Sequence, residues 1–246
     1  MVKTPASAER EKLPVLECPQ VQIAIKFAKR LRADSLLDIG CCNGEITMAL
    51  MSALQAREVY GIELERKYIE TSLNRGIKVF EIDVDYSDIP LQNECCDVVF
   101  CGEIIEHLIN IDHVLGEIRR VLKPGGSCIL TTPNLACWYN RVALLAGSQP
   151  YISWVPWGHF FLSGPLQPQL TIGAGRPHIS VMTVRALKEL ILSHGFKIRR
   201  LEGASARGSP LQFPLASLFF LCDDLISRIP GLATFTVVEM QKDKSL

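Results

Sequence analysis

From residue 19 onward the chain alternates between two periodicities. Apolar positions in 19–32 (PQVQIAIKFAKRLR) recur at helical spacing behind a proline, which predicts a lead-in helix. Short apolar runs predict strands over 35–39, 58–62, 77–82 and 97–102, the last being VVFC bounded by Asp and Gly. Between them, 44–54 reads as a helix and 64–75 as a charged helix. An amphipathic helix over 109–122 ends at Lys-Pro-Gly-Gly, and 127–132 predicts a fifth strand. Such alternation predicts an α/β fold, a parallel sheet with helices on both faces.

The pattern then breaks. Residues 133–180 are aromatic, Pro- and Gly-rich without clear periodicity, and a stretch that long reads as a functional cap. A helix over 183–194 closed by Gly195 and a strand over 196–202 follow. An apolar helix over 214–229 lies in a second interruption, 204–232, before a last strand over 234–241. The chain reads as a single domain, 1–246, with 1–14 a loose tail, 133–180 a cap insertion and 204–232 a helical insertion. No internal repeat is visible.

Composition narrows the function. The 246 residues are 48% hydrophobic, enough to fill one core. Lys+Arg and Asp+Glu are 26 each, so the net charge is zero and extended contact with nucleic acid is not expected. Nine cysteines form no C-x-x-C pair, and Cys96, Cys101, Cys128 and Cys222 sit in apolar runs. They read as small buried hydrophobes in a reducing compartment. Oxidation of the adjacent pairs Cys41-Cys42 and Cys95-Cys96 is the lesser alternative. The first residues lack an apolar signal core, and no run is apolar and long enough to span a membrane, so a cytoplasmic location is expected.

The sharpest chemical signal is Leu36-Leu37-Asp38-Ile39-Gly40-Cys41-Cys42-Asn43-Gly44, a strand entering a tight Gly turn and a helix. In doubly wound sheets ligands bind outside the carboxyl ends of the strands. The dinucleotide pattern G-x-G-x-x-G is absent, and an acid, Asp38, precedes the turn. That suits a ligand with a positively charged amino-acid end better than a pyrophosphate. Glu63 closes the second strand about twenty residues later, where an acid accepts hydrogen bonds from ribose hydroxyls. The bland alternative is a solvated strand-end carboxylate.

Over 35–132, and weakly over 178–203, the chain resembles class I S-adenosylmethionine (SAM)-dependent methyltransferases, of the broad group that includes the ubiquinone-biosynthesis O-methyltransferases. The resemblance rests on DIGCCNG, Glu63, EIDVD, CDVVFCGEIIEHL and EIRRVLKPGGSCILTTPN. It implies a doubly wound, mostly parallel, Rossmann-like seven-stranded sheet with an antiparallel last strand and a cap insertion after strand five. It places Asp38 near the cofactor amino group and Gly40 and Gly44 along its methionine part. Cys42 stands where the family pattern usually has its middle Gly, so a side chain lies near the cofactor there. Cys96 stands where relatives usually have Phe. Gly102, at the end of the fourth strand, joins the cofactor set. The acid near adenine is Asp83 by strand position or Asp85 by counting back from Pro90, with Asp83 preferred.

Glu103-Ile104-Ile105-Glu106-His107 follows the fourth strand. On a helical turn Glu103 would share a face with Glu106 and His107, and two carboxylates with an imidazole can hold a divalent cation. Small-RNA 3′-terminal 2′-O-methyltransferases are similar in having Glu-x-x-Glu-His with a distant His that together bind metal. In this chain Glu103, Glu106, His107 and His178 match that pattern. In the competing reading Glu103 meets cofactor or lid, while Glu106 and His107 make fixed hydrogen bonds. His107 and His178, with Glu106, are the catalytic candidates, imidazole being suited to proton transfer near neutral pH. His159 is a weaker third base.

The aromatic run 151–161 (YISWVPWGHFF) suits a lid over an apolar or aromatic small molecule, or simple cement for the insertion. The apolar helix over 214–229 carries Asp223 and Asp224, which favours core packing or a homodimer over membrane contact. The expected function is SAM-dependent methyl transfer to a small-molecule acceptor at oxygen. RNA 3′-terminal 2′-O-methylation and a non-catalytic SAM-binding regulatory protein are the alternatives.

Overall fold

The computed structural model describes residues 14–150, 177–207 and 216–243. The aromatic run 151–161, His159 and the N-terminal residues 1–13 lie outside the described residues.

Seven strands form one sheet: β1 (Ser35–Ile39), β2 (Glu58–Ile62), β3 (Lys78–Phe80), β4 (Cys96–Gly102), β5 (Leu122–Pro133), β6 (Phe196–Ala204) and β7 (Phe235–Lys242). Their order is β3-β2-β1-β4-β5-β7-β6. The first five pair in parallel, and β7 runs antiparallel to both β5 and β6. Among the described residues seven helices accompany it: α1 (Pro19–Ala28), α2 (Glu45–Leu54), α3 (Arg66–Asn74), α4 (Ile111–Val121), α5 (Trp138–Leu145), α6 (Val184–Ser193) and α7 (Ala216–Ile226). This is the doubly wound, Rossmann-like sheet with an antiparallel last strand that the sequence implied.

The two faces follow from strand alternation. Leu36, Val98 and Ile129 pack with Phe27 of α1 and Leu50 of α2. Leu37, Val99 and Leu130 face the other way, onto Ile118 of α4 and Leu187 of α6. In α4 the buried Val114, Leu115, Ile118 and Val121 repeat at helical spacing, which drives that helix onto the sheet. The chain runs outward from β1 to β2 and β3, then crosses back to β4 on the other side of β1. The crevice between the carboxyl ends of β1 and β4 is therefore the switch point where such sheets bind ligands.

Several elements depart from the sequence reading. α5 falls in the stretch expected to lack periodicity; only Asn140 and Ala143 of it are buried, too small and mixed a face to announce a helix. β5 begins at Leu122, so Lys-Pro-Gly-Gly lies inside a bulged strand rather than after a helix. β3 keeps three residues of the six expected, as befits an edge strand.

All nine cysteines are free; Cys96, Cys101 and Cys128 are buried, as expected, while Cys222 is only half-buried. Among the described residues no helix is long and apolar enough to cross a membrane.

Candidate functional site

Behind β1 the backbone turns through Gly40 and Gly44, both with left-handed φ of 80° and 78°. Gly44 caps α2. A Cβ on Gly40 would lie 2.2 Å from Ile104 Cδ1, so the segment after β4 rests directly on this turn. Cys42 adopts φ 48° without being glycine, at a cost of about 1 kcal/mol. Two bonds hold it there: its N–H donates to Glu63 Oε2 at 2.8 Å, and its carbonyl accepts from Ser72 Oγ at 2.7 Å.

Asp38, one residue before the end of β1, is 2% exposed. Thr47 Oγ1 donates to its Oδ2 at 2.5 Å, while Oδ1 has no hydrogen-bond partner. Burial pushes this carboxyl up to about 7, against the Thr47 bond and with the help of nearby Glu63. An orphaned buried carboxylate oxygen beside a ligand crevice fits a cationic group.

Glu63 follows β2. Besides Cys42, its carboxylate accepts the N–H groups of Leu64 and Glu65 at 2.7 and 2.9 Å. Past β3 the two candidate acids separate. Asp83 is half-buried, and its Oδ1 accepts the Asp85 N–H at 3.1 Å. Asp85 is buried, and its Oδ1 accepts the N–H groups of Ile109 and Asn110, both at 2.9 Å, at the start of α4. Asp85 thus clamps a helix N-terminus.

Gly102 ends β4, and the next residue, Glu103, has φ 54°. It therefore stands outside the short 3-10 turn Ile105–His107 and does not share a helical face with Glu106 and His107, contrary to the sequence reading. Thr131 Oγ1 donates to Glu103 Oε1 at 2.8 Å, and Thr132 Oγ1 donates to Glu106 Oε2 at 3.0 Å. Successive residues of a strand point to opposite faces, so β5 holds the two carboxylates from opposite sides of the sheet. Burial pushes the Glu103 carboxyl up to about 7, opposed by the Thr131 bond. Burial, with Glu103 nearby, raises that of Glu106 as well.

The structure does bring Glu106, His107 and His178 together: one ligand atom from each lies within 4.8 Å of the others. Glu106 is fully buried, and its Oε1 has no hydrogen-bond partner. His107 Nδ1 lies 3.1 Å from the Pro177 carbonyl oxygen, which only an N–H can satisfy. In the neutral ring this leaves the Nε2 lone pair free, 3.9 Å from Glu106 Oε1. The His107 and His178 rings meet edge to face at 4.8 Å. Ile179 and Ser180 donate their N–H groups to the Glu106 carbonyl at 2.8 and 2.9 Å, which fixes the distant histidine beside the turn. Among the described residues Glu103 is not part of this cluster. An orphan carboxylate oxygen and two imidazoles make a donor set that fits a divalent transition metal.

Residues 37–130 match the family described as a methyltransferase domain. Over 108 residues the chain is 37% identical to 27-O-demethylrifamycin SV methyltransferase of Amycolatopsis mediterranei, covering 41% of this chain and 39% of that protein. Residues 37–130 are thus similar to a methyltransferase domain. The chain is also 30% identical over 128 residues to ubiquinone biosynthesis O-methyltransferase of Rickettsia prowazekii, covering 49% of this chain and 48% of the relative. The matches thus span less than half the length of either relative. In fold it is similar to a SAM-dependent methyltransferase from Mesorhizobium loti, with TM-score 0.62, 15% identity and coverage of 92% of this chain and 100% of the other. A second likeness is to the O-methyltransferase of a trans-AT PKS multienzyme of Brevibacillus brevis in complex with S-adenosyl-L-homocysteine. There the TM-score is 0.59 and the identity 17%, covering 92% and 73% of the two chains.

Sequence reasoning missed the supporting groups of the site. Thr47 is one turn into α2, and Thr131 and Thr132 close β5. Their signal was present in Thr-Thr-Pro-Asn, two hydroxyls in a row at the carboxyl end of a strand otherwise apolar. The Pro177 carbonyl carries no sequence signal.

Proposed function

We propose that the domain transfers a methyl group from SAM to an oxygen of a small-molecule acceptor. The observation that carries this reading is the meeting of two half-sites: the Gly40–Gly44 turn with the orphaned Asp38 oxygen, and the Glu106–His107–His178 cluster. Ile104 seats one on the other. The relatives named as O-methyltransferases support oxygen as the accepting atom.

SAM, when bound, supplies a methyl group already activated by its sulfonium. The chain's own groups bind and orient. Asp38 takes the amino end, and Gly40, Cys42 and Gly44 let backbone approach the methionine part. Glu63 takes the ribose hydroxyls, exchanging its bonds to local N–H groups for them. Asp83 is the acid for adenine, because Asp85 is committed to α4. Gly102 leaves room beside the methyl path. His107 Nε2, with its lone pair fixed by the Pro177 carbonyl, accepts the acceptor's proton, and His178 flanks it. With a divalent cation bound, Glu106, His107 and His178 would instead hold it, and the cation rather than His107 would lower the acceptor's hydroxyl pKa. Glu103, turned to the other face, meets cofactor or acceptor instead.

Titration calorimetry with SAM tests the pocket: Glu63→Ala should weaken binding about tenfold or more while the protein stays folded. Unchanged affinity removes the pocket assignment. Methyl-transfer assays on apolar and aromatic hydroxyl compounds and on short RNA then separate the acceptors. His107→Ala should abolish transfer with SAM affinity retained. If activity falls in EDTA and returns with Mn²⁺, the cluster holds a metal; full activity in EDTA leaves His107 as the base alone.

A further inference from the structure

Fourteen large apolar side chains are exposed among the described residues, and half of them lie on or just after two helices, α5 and α7. On α5 they are Val142, Leu144 and Leu145, the last 90% exposed. On α7 they are Leu218, Leu221 and Leu225, spaced i, i+3, i+7 and so forming one stripe, each more than half exposed. Ile229 continues the line. Scattered apolar residues are ordinary on a surface, but seven on two touching helices are not.

The helices form one platform. Trp138 Nε1 of α5 donates to Asp223 Oδ1 of α7 at 2.8 Å, and the Trp138 and Phe219 rings lie 5.4 Å apart. Arg141 Nη2 reaches the Gly231 carbonyl at 3.2 Å, just beyond α7.

Charge decides what the platform meets. The acids of α7 argue against a lipid surface in the sequence, but in the structure one is buried and the other is paired. Asp223 is fully buried, and Asp224 pairs with Arg207 and accepts from Ser205 Oγ at 2.6 Å. α5 has no acid at all. The exposed charges left beside the leucines are Arg141 and Arg228. An apolar stripe rimmed by arginines, its one half-exposed acid paired with Arg207, is the composition of an interfacial helix on anionic lipid.

We infer that the outer faces of α5 and α7 dock this domain on an anionic membrane surface. The leucines enter the headgroup boundary, and the two guanidinium groups sit among the phosphates. α5 starts a few residues after the carboxyl end of β5, so docking sets the site's edge of the sheet toward the bilayer. The inference does not rest on methyl transfer.

Flotation of the full chain with vesicles tests it, comparing phosphatidylglycerol–phosphatidylcholine mixtures with phosphatidylcholine alone. Binding should favour the anionic vesicles and weaken with salt. Leu221→Asp with Leu225→Asp should reduce it at least about tenfold, with circular dichroism and Tm unchanged because both side chains are exposed. Arg141→Gln and Arg228→Gln should each cost about fivefold on anionic vesicles only. No binding to anionic vesicles overturns the inference, as does binding that the leucine variants leave intact. A dimer in sedimentation velocity that Leu221→Asp converts to monomer, without vesicle binding, assigns the face to a second copy and overturns it too.

Discussion

The carboxyl of Asp38 has one hydrogen bond, from Thr47, and one oxygen with none. Its charge is therefore expensive in the free protein, and burial lifts its pKa to about 7. An unfolded aspartate ionises near pH 4. The folded state thus holds the proton longer, so this group lowers stability as pH rises from about 4 to about 7, with no further change above. Asp38→Asn should raise the Tm of the ligand-free protein more at pH 8 than at pH 5. A cationic ligand favours the ionised form, so SAM affinity in the parent protein should climb about tenfold between pH 6 and pH 8. Calorimetry at the two values checks this. A flat affinity would mean that Asp38 does not face the cationic end. Thr47 sits where it can steady the ionised form without neutralising it.

At the scale of elements, Asp85 joins the loop after β3 to α4 by accepting the two N–H groups that lead into the helix, those of Ile109 and its N-cap Asn110. Asp85→Ala should lower stability by about 1–3 kcal/mol in urea unfolding, with SAM affinity little changed at temperatures where the variant is folded. Asp83→Ala should do the reverse. The sequence left these two acids unresolved because the choice depends on where α4 begins in space, and residue counts do not contain that. By contrast β1, β2 and β4, and helices α2, α4 and α6, were legible to within a few residues. Each has a clean period and a marked end, such as Gly44 before α2 or Gly195 after α6. α5 was not legible, since its anchors are Trp138 and Asn140 rather than a row of aliphatics. In the candidate site, Glu106, His107 and His178 were legible as a cluster. Glu103 is not legible in this way, because the chain makes a left-handed turn there at φ 54° where helical spacing would need a right-handed one.

Across the whole molecule, Asp223 ties together parts distant in sequence. Its carboxylate accepts from Trp138 Nε1, the Ala206 N–H at 2.5 Å and Thr234 Oγ1 at 3.0 Å, joining α5, the end of β6, α7 and the start of β7. Asp223→Ala should cost about 3–5 kcal/mol in unfolding, since several buried donors lose their partner at once. A loss near zero would show that water replaces the carboxylate. The sheet order has a different consequence, in time rather than in space. β6 leaves the ribosome before β7 but joins the sheet only through it, and Ser127 of β5 must wait for Gln241. Until the last strand arrives, β5 and β6 both show open edges with unpaired N–H and C=O groups. Such distant pairing is slow. The newborn chain is therefore most exposed to sticking to its neighbours between the emergence of β6 and that of β7, which makes that interval the one in which a chaperone matters most.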